Sequence, residues 1–387
     1  MVARGAGDVG CAHCTQFGAT ETCQVCKLLV CEKCAADWTT CNEQAARVLR
    51  LGMGWRVRDV DPKGRYALVS RALKIPRIVD LRQLRWLGST HLVANAMGMM
   101  AKYPPRLTSD GLLVHADVSW VTNDTVFVGL RYRGMFGAPP DVVLENVDGP
   151  LGGSTCVSAV DDKYAHVTEG QRVVVVEHSQ LGPQEAPQAA QTIMHGAFSR
   201  DPSFRYRAES YEPLPRKVVS AIAVDGERDL LASATWREVA IHKMIEGKLE
   251  RFGYLDTGFD ANITVLALTG RWLVYGTAHR LEVRPISSSG DIGKVMLRHD
   301  GAVDAFAVSR DGSYLAIGEG SDLVLHDLDR DRRVEYAEHS DKISYVRFAS
   351  DDHVLISGDN DNRVVLRPRT ADGYAKPVVK VALAGTP

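Results

Sequence analysis

The sequence carries no surplus of positive charge: 46 Lys and Arg stand against 48 Asp and Glu, for a formal net charge of −2. A protein dedicated to nucleic acid draws much of its affinity from neutralising phosphates and normally shows a basic excess. The balance argues against that class and leaves room only for a local basic patch. Long apolar runs are missing too. No stretch reaches the length of about 18 residues that reads as a membrane-crossing helix, and the longest runs, such as Val173–Val176, are strand-sized. The opening MVARGAGDVG holds one Arg and no apolar segment of leader length. Residues 1–10 are therefore expected to be a flexible terminus, with no export by that route and a cytoplasmic location. Motifs of catalysis are absent as well. No GxGxxG opens a helix after a strand, and no P-loop, GxSxG elbow or HExxH occurs. The expectation is a protein that is not an enzyme and that has no small-molecule substrate, although a ring of acids drawn from distant segments would be invisible at this level.

Cysteine is scarce over most of the chain and dense in one place. Of eight cysteines, only Cys156 lies outside the run from Cys11 to Cys41. That run has the spacing C-x2-C-x8-C-x2-C-x4-C-x2-C-x6-C. Each CxxC can place two thiolates on one tight turn, about 2.3 Å from a shared ion. Six or seven thiolates exceed the needs of one zinc, so one or two ions are expected. The order suggests an interleaved arrangement: Cys11, Cys14, Cys31 and Cys34 in a first site, Cys23, Cys26 and Cys41 in a second. A segment this short cannot build an adequate apolar core, so metal binding would supply its folding free energy. A disulfide knot fits poorly without an export signal, and a redox CxxC would need a βαβ context that is not visible. An iron–sulfur cluster is a minor alternative.

The spacing resembles that of the B-box zinc finger, a small treble-clef-like module, over residues 11–44. The first six ligands match. Cys41 then stands where the family's first closing histidine belongs and Gln44 where its second does. The resemblance therefore leaves the fourth ligand of the second site open among His13, Asp37, Glu43 and water.

From residue 45 to 387 the text changes to short β-rich runs bounded by Gly, Asp and Asn, the pattern of an all-β domain. Two C-terminal stretches, from Leu297 and from Ala337, follow one plan of His, acidic turn and successive strands over about 40 residues, the size of one propeller blade. The plan can be followed backwards to units starting near Ile263, Val218, Cys156, Ala116 and Trp55, which gives seven. The units resemble the WD-repeat family. The resemblance places His339 at the family's GH histidine and Asp361 at its tight-turn aspartate, joined through a buried hydrogen-bond network. The signature Trp-Asp dipeptide is replaced by His326-Asp327 in one unit and Arg367-Pro368 in the next, and the GH pair reads Arg298-His299 and Glu338-His339. A seven-bladed β-propeller is expected, closed by a strand at Arg47–Leu51 or at Val378–Leu383. Residues 97–112 and 179–216 read as insertions, the second carrying Phe198, Phe204, Tyr206 and Tyr211.

These readings converge on a non-catalytic scaffold that binds a protein or peptide partner, with the zinc module adding a second contact. A propeller hydrolase, an RNA binder or a ubiquitin-ligase relative of the B-box-plus-propeller type is the alternative. The Ala-, Val-, Arg- and Gly-rich composition hints at a high-GC bacterial genome, where such a scaffold would suit a multi-protein signalling or defence system.

Overall fold

The computed structural model describes residues 46–71, 77–81, 84–89, 219–245, 248–349, 352–370, 373–375, 378–381 and 383 continuously. Elsewhere it describes residue 32 and the strand segments 21–22, 29–30, 106–107, 112–118, 124–131, 141–150, 158–160, 164–169, 172–177 and 209–211. The regular structure is almost wholly β, as the Val-, Ile- and Leu-rich runs between turn residues predict.

Among the described residues, six sheets are four-stranded antiparallel meanders in chain order. The 56–89 sheet consists of Arg56–Val60, Tyr66–Ser70, Arg77–Asp80 and Arg85–Ser89. The 221–256 sheet consists of Ala221–Asp225, Leu230–Ala234, Glu238–Ile245 and Lys248–Asp256. The 265–300 sheet is built from Val265–Leu268, Trp272–Thr277, Arg280–Pro285 and Leu297–Asp300, and the 305–336 sheet from Ala305–Val308, Tyr314–Glu319, Asp322–Asp327 and Arg332–Tyr336. The remaining two span 106–150 and 158–211. Two features differ from the sequence reading. The strand Leu297–Asp300, expected to open a unit, instead ends the preceding sheet by pairing with Arg280–Pro285. The strands Arg106–Leu107 and Glu209–Tyr211 fall inside the stretches read as insertions and serve as the first strand of one sheet and the fourth of the next.

The last sheet uses both candidate closing strands. Ala46–Arg50 pairs antiparallel with Arg363–Thr370, in the register Val48↔Val365, and Val378–Val381 lies parallel on its other side. Val354–Asp359 and then Ile343–Ala349 extend it on the other side of Arg363–Thr370, and Gly373–Tyr374 pairs with the end of that strand. Covering the edge of Arg363–Thr370 in this way leaves no long unpaired ladder there.

The chain divides into two compact units, one of residues 1–92, 135–137 and 304–387, the other of 93–134 and 138–303. In the first, the 56–89 sheet packs on the last sheet through Leu49, Trp55, Val79, Tyr345, Ile356 and Val364. The 305–336 sheet packs on it through Leu325, Tyr336, Phe348 and Tyr374. In the second, the 221–256 and 265–300 sheets share a core of Val239, Ile241, Phe259, Ile263 and Tyr275. Second strands such as Val354–Asp359 and Leu230–Ala234 are buried throughout, the first of them in a sheet that lies between the 56–89 and 305–336 sheets. This explains why they read as continuous apolar runs rather than as alternation.

Four of the first hairpin turns place a residue in the left-handed region, each of a type that tolerates it: Gly64 (φ 62°), Asp229 (57°), Gly312 (73°) and Asp352 (65°). One backbone bond recurs in five sheets and fixes their equivalence. The amide just after or ending the third strand donates to the carbonyl just before the second: Leu81 to Arg65, Met244 to Asp229, Ile286 to Arg271, Leu328 to Ser313 and Arg369 to His353, all at 2.7–2.9 Å.

Candidate interaction surface and the His339 network

The cysteines Cys11, Cys14, Cys31, Cys34, Cys23, Cys26 and Cys41 lie outside the described residues. The described backbone nearby is a short antiparallel pair, Glu21–Thr22 with Leu29–Val30, in the register Glu21↔Val30. Cys23 and Cys26 fall between its strands in the sequence.

His339 sits in the connection that leads into Ile343–Ala349, with its side chain fully buried. Its Nδ1 lies 3.1 Å from Asp359 Oδ2 and its Nε2 lies 2.7 Å from Ser357 Oγ. The aspartate is therefore Asp359 and not Asp361 as the sequence reading had it. The reason is register: Asp359 ends the second strand opposite Ile343, which points it at the incoming connection. Asp361 lies beyond it in the turn and accepts a hydrogen bond from Ser340 Oγ at 2.9 Å, in the open. Asp359 also accepts the amides of Asp361 and Arg363, both at 2.9 Å. Burial would push its carboxyl up, yet the His339 and Arg363 hydrogen bonds hold it below the ordinary carboxylate value.

Ser357, His339 and Asp359 reproduce the connectivity of a nucleophile, base and orienting acid. A nucleophile must meet a substrate, however, and Ser357 has 0% exposure. What the three groups do here is saturate one another and pin the turn 360–362 to the connection before Ile343.

The recurring backbone bond identifies what stands at the same places in the other sheets. At the position of Ser357 are Ser233, Tyr275, Ile317 and Val69, and at that of Asp359 are Thr235, Thr277, Glu319 and Arg71. Among these five sheets, only the last keeps the Ser and Asp pair together. In the 265–300 sheet Tyr275 takes over: its hydroxyl donates to Glu282 at 2.5 Å and accepts from Arg284 Nε at 2.7 Å. Glu282, buried, also holds Arg280 and Arg298.

The place of the signature tryptophan shows a pattern that the sequence reading caught only in part. It is filled by Val79, His242, Arg284, His326 and Arg367, so four of these five sheets carry a basic side chain there. The aspartate that follows survives as Asp327 and, missed in the sequence reading, as Asp80, both buried. Burial, with Arg251 alongside, pushes the His242 imidazole down to about 4. An unfolded histidine titrates near 6.5, so folding disfavours its protonation. Stability from this group is complete above pH ~6.5 and is lost as pH falls towards 4. Replacing His242 by Gln should flatten the acid limb of the stability curve by about 2 kcal/mol between pH ~7 and pH ~4. An unaltered slope in urea unfolding at the two pH values would refute this.

The two most exposed large apolar side chains among the described residues, Met53 and Trp236, lie in turns. Trp236, 54% exposed, lies in the turn between Leu230–Ala234 and Glu238–Ile245. The turn is rigid. Arg237 forms two 3.0 Å hydrogen bonds with Asp256, and the Thr257 amide and hydroxyl both donate to the Arg237 carbonyl. Tyr254, 46% exposed, stands at the same corner, where its hydroxyl donates to Glu238 at 2.6 Å. That bond, chiefly, pushes the phenol up to about 12 and keeps it a donor. Trp236 on the turn and Tyr254 on the strand Lys248–Asp256 are thus two exposed aromatic side chains on backbone tied down by the Arg237–Asp256 ion pair. The sequence signal was there in Ala-Thr-Trp-Arg-Glu, a tryptophan between two strands where a turn must fall.

No family model matches the chain, and no curated protein matches it. Among solved structures it is similar to the β-propeller domain of Cps50 (Swd1) from Myceliophteria thermophila. The TM-score is 0.52 at 12% identity, over 82% of this chain and 97% of that one. The likeness establishes the β-propeller fold. No helix among the described residues is long and apolar enough to cross a membrane.

Proposed function

We propose that the chain is a non-catalytic interaction scaffold of the cytoplasm, a seven-bladed propeller of WD-repeat type that binds a protein partner. The observation that carries this reading is the exposed Trp236–Tyr254 corner, held rigid by Arg237 and Asp256. The buried Ser357–His339–Asp359 set supports it from the other side, since its groups are used up in fixing a turn. An affinity pull-down from the native source, comparing the native chain with Trp236→Ala, tests it. Stoichiometric protein partners that are lost with Trp236→Ala are expected; no enrichment with the native chain would overturn the scaffold reading.

The N-terminal module, residues 11–44, belongs to the same proposal as a B-box-like second contact. Its donor set is chemically suited to zinc, with Cys11, Cys14, Cys31 and Cys34 as one complete thiolate set and Cys23, Cys26 and Cys41 as three ligands of another. Zinc would there supply folding free energy to a segment short of core. Cys31→Ser with Cys34→Ser should release at least one zinc per chain and unfold this module while the propeller melts unchanged. Zinc content equal to the native chain, read by mass spectrometry of the metal, would remove the ligand assignment.

A further inference from the structure

Residues 55–89 hold nine Lys or Arg and three Asp, on a chain whose net charge is −2. All three acids are buried: Asp59 and Asp61 are 0% exposed and Asp80 is 6% exposed. Asp59 accepts from Tyr345 and Arg347, each at 3.1 Å. Asp61 accepts the amides of Arg65 and Tyr66 at 2.5 and 2.8 Å and the Arg65 guanidinium at 3.2 Å. The exposed ionisable side chains among the described residues of this sheet are therefore all cations: Arg56, Arg58, Lys63 and Arg71.

Three of them gather at one corner. Arg56 and Arg58 flank the buried Val57, and Arg56 pairs across the ladder with Ser70. Arg58 Nε donates to Ser70 Oγ at 2.6 Å. Arg71 follows Ser70 and lies against Gly54, where an added Cβ would stand 3.3 Å from its Nε. Burial, with Arg56 alongside, pushes the Arg58 guanidinium below its ordinary value, as crowding of like charge should.

Beside this corner stands Met53. It is 81% exposed, the most exposed of the large apolar side chains among the described residues. The turn that presents it is tight. Gly52 and Gly54 have φ of 91° and 79°, and the Trp55 amide donates to the Gly52 carbonyl at 3.2 Å. Only glycine adopts such angles without strain, so Met53 is displayed by backbone geometry rather than left out by chance.

We propose that this corner binds an acidic segment of a partner protein, with carboxylates on Arg56, Arg58 and Arg71 and an apolar side chain on Met53. The proposal rests on the scaffold reading and names the chemistry of the partner. Arginine forks match carboxylates bidentately. A nucleic acid fits less well: Trp55 is 5% exposed and packs edge-on against Trp86 at 5.4 Å, so it offers no face for base stacking.

The test uses the full chain and a fluorescein-labelled Glu-rich peptide with one central Phe, followed by anisotropy. Binding should weaken as salt rises from about 50 to about 300 mM. Arg56→Glu, Arg58→Glu and Arg71→Glu together should weaken it at least ~10-fold, the cost of about 1.4 kcal/mol. The milder Gln set, which serves if the Glu set does not fold, should weaken it several-fold. Met53→Ser should weaken the Phe peptide and leave a peptide with Ser in place of Phe unaffected. Arg333→Glu, on a different sheet, should change nothing. Equal peptide affinity in the Glu or Gln set, or tighter binding of a single-stranded oligonucleotide than of the peptide, would overturn the proposal. A partner pulled down by the native chain and retained by the charge-altered set would do the same while leaving the scaffold reading intact.

Discussion

An Arg367→Ala protein should unfold in urea about 3–5 kcal/mol more readily than the native chain. Arg367 has 0% exposure, although it stands where the WD-repeat resemblance would place an aromatic. Its guanidinium lies 4.1 Å from the Tyr336 ring centroid, donates through Nη1 to the Ala375 carbonyl at 2.8 Å, and pairs through Nη2 with Glu338. Burial pushes it below its ordinary value, and Glu338 opposes that. Truncation to Ala would open a cavity against Tyr336 and leave the Ala375 carbonyl and the Glu338 carboxylate without their donor. Arg367→Met separates the two costs. It keeps apolar contact with the ring, and Glu338, 21% exposed, can be hydrated. The Nε of Arg367 has no acceptor, so part of the charge is poorly compensated already. About 1–2 kcal/mol is expected for Met. If Ala and Met cost the same, the charge and not the packing carries the effect. A loss under about 1 kcal/mol for Ala would show that this buried cation does not hold the last sheet.

The second large effect is expected at Asp359. Asp359→Ala should cost about 3–4 kcal/mol, because it strips His339 of its Nδ1 partner and leaves the amides of Ser340, Asp361 and Arg363 without their acceptor in a largely buried site. Asp361→Asn, two residues away, should cost less than about 0.5 kcal/mol, since its one hydrogen bond is exposed. Asp359→Asn adds a signature in pH. The native carboxyl is held below the unfolded value near 3.9, so its contribution is present above that pH and is lost as pH falls through the lower folded value. The Asn protein should lose this acid dependence and start from lower stability. Thermal melts at neutral and acidic pH would show it. Equal losses for Asp359→Ala and Asp361→Asn would return the aspartate of the network to the position that sequence alone indicated.

That difference of two residues shows where sequence reading stopped. Asp359 and Asp361 stand two residues apart at the end of one strand and in the turn after it, and both are the right residue type. Only strand register decides which side chain faces His339, and register is set by pairing with Ile343–Ala349, a segment remote from the turn in the local pattern. The closing strand shows the same limit. Arg47–Leu51 and Val378–Leu383 both read as strands, and nothing local says that one pairs antiparallel and the other then adds in parallel. The basic corner is a third case. Nine cations in 35 residues can be counted from the sequence, but only burial shows that the accompanying Asp59, Asp61 and Asp80 are withdrawn from the surface.

By itself the sequence determined the all-β class, the spacing of the blades near the C-terminus, the position of His339 and the clustered thiols. Each is a local property: turn residues with left-handed φ, apolar runs of strand length, and cysteines a few bonds apart. The tertiary structure alone decided which aspartate meets His339, that Ala46–Arg50 and Val378–Val381 share one sheet, that His242 and Arg284 stand at the same place as His326 and Arg367, and which charges face outward. Those outcomes depend on pairing and burial between segments as far apart as Asp59 and Arg347, 288 residues along the chain, where local propensity carries no information.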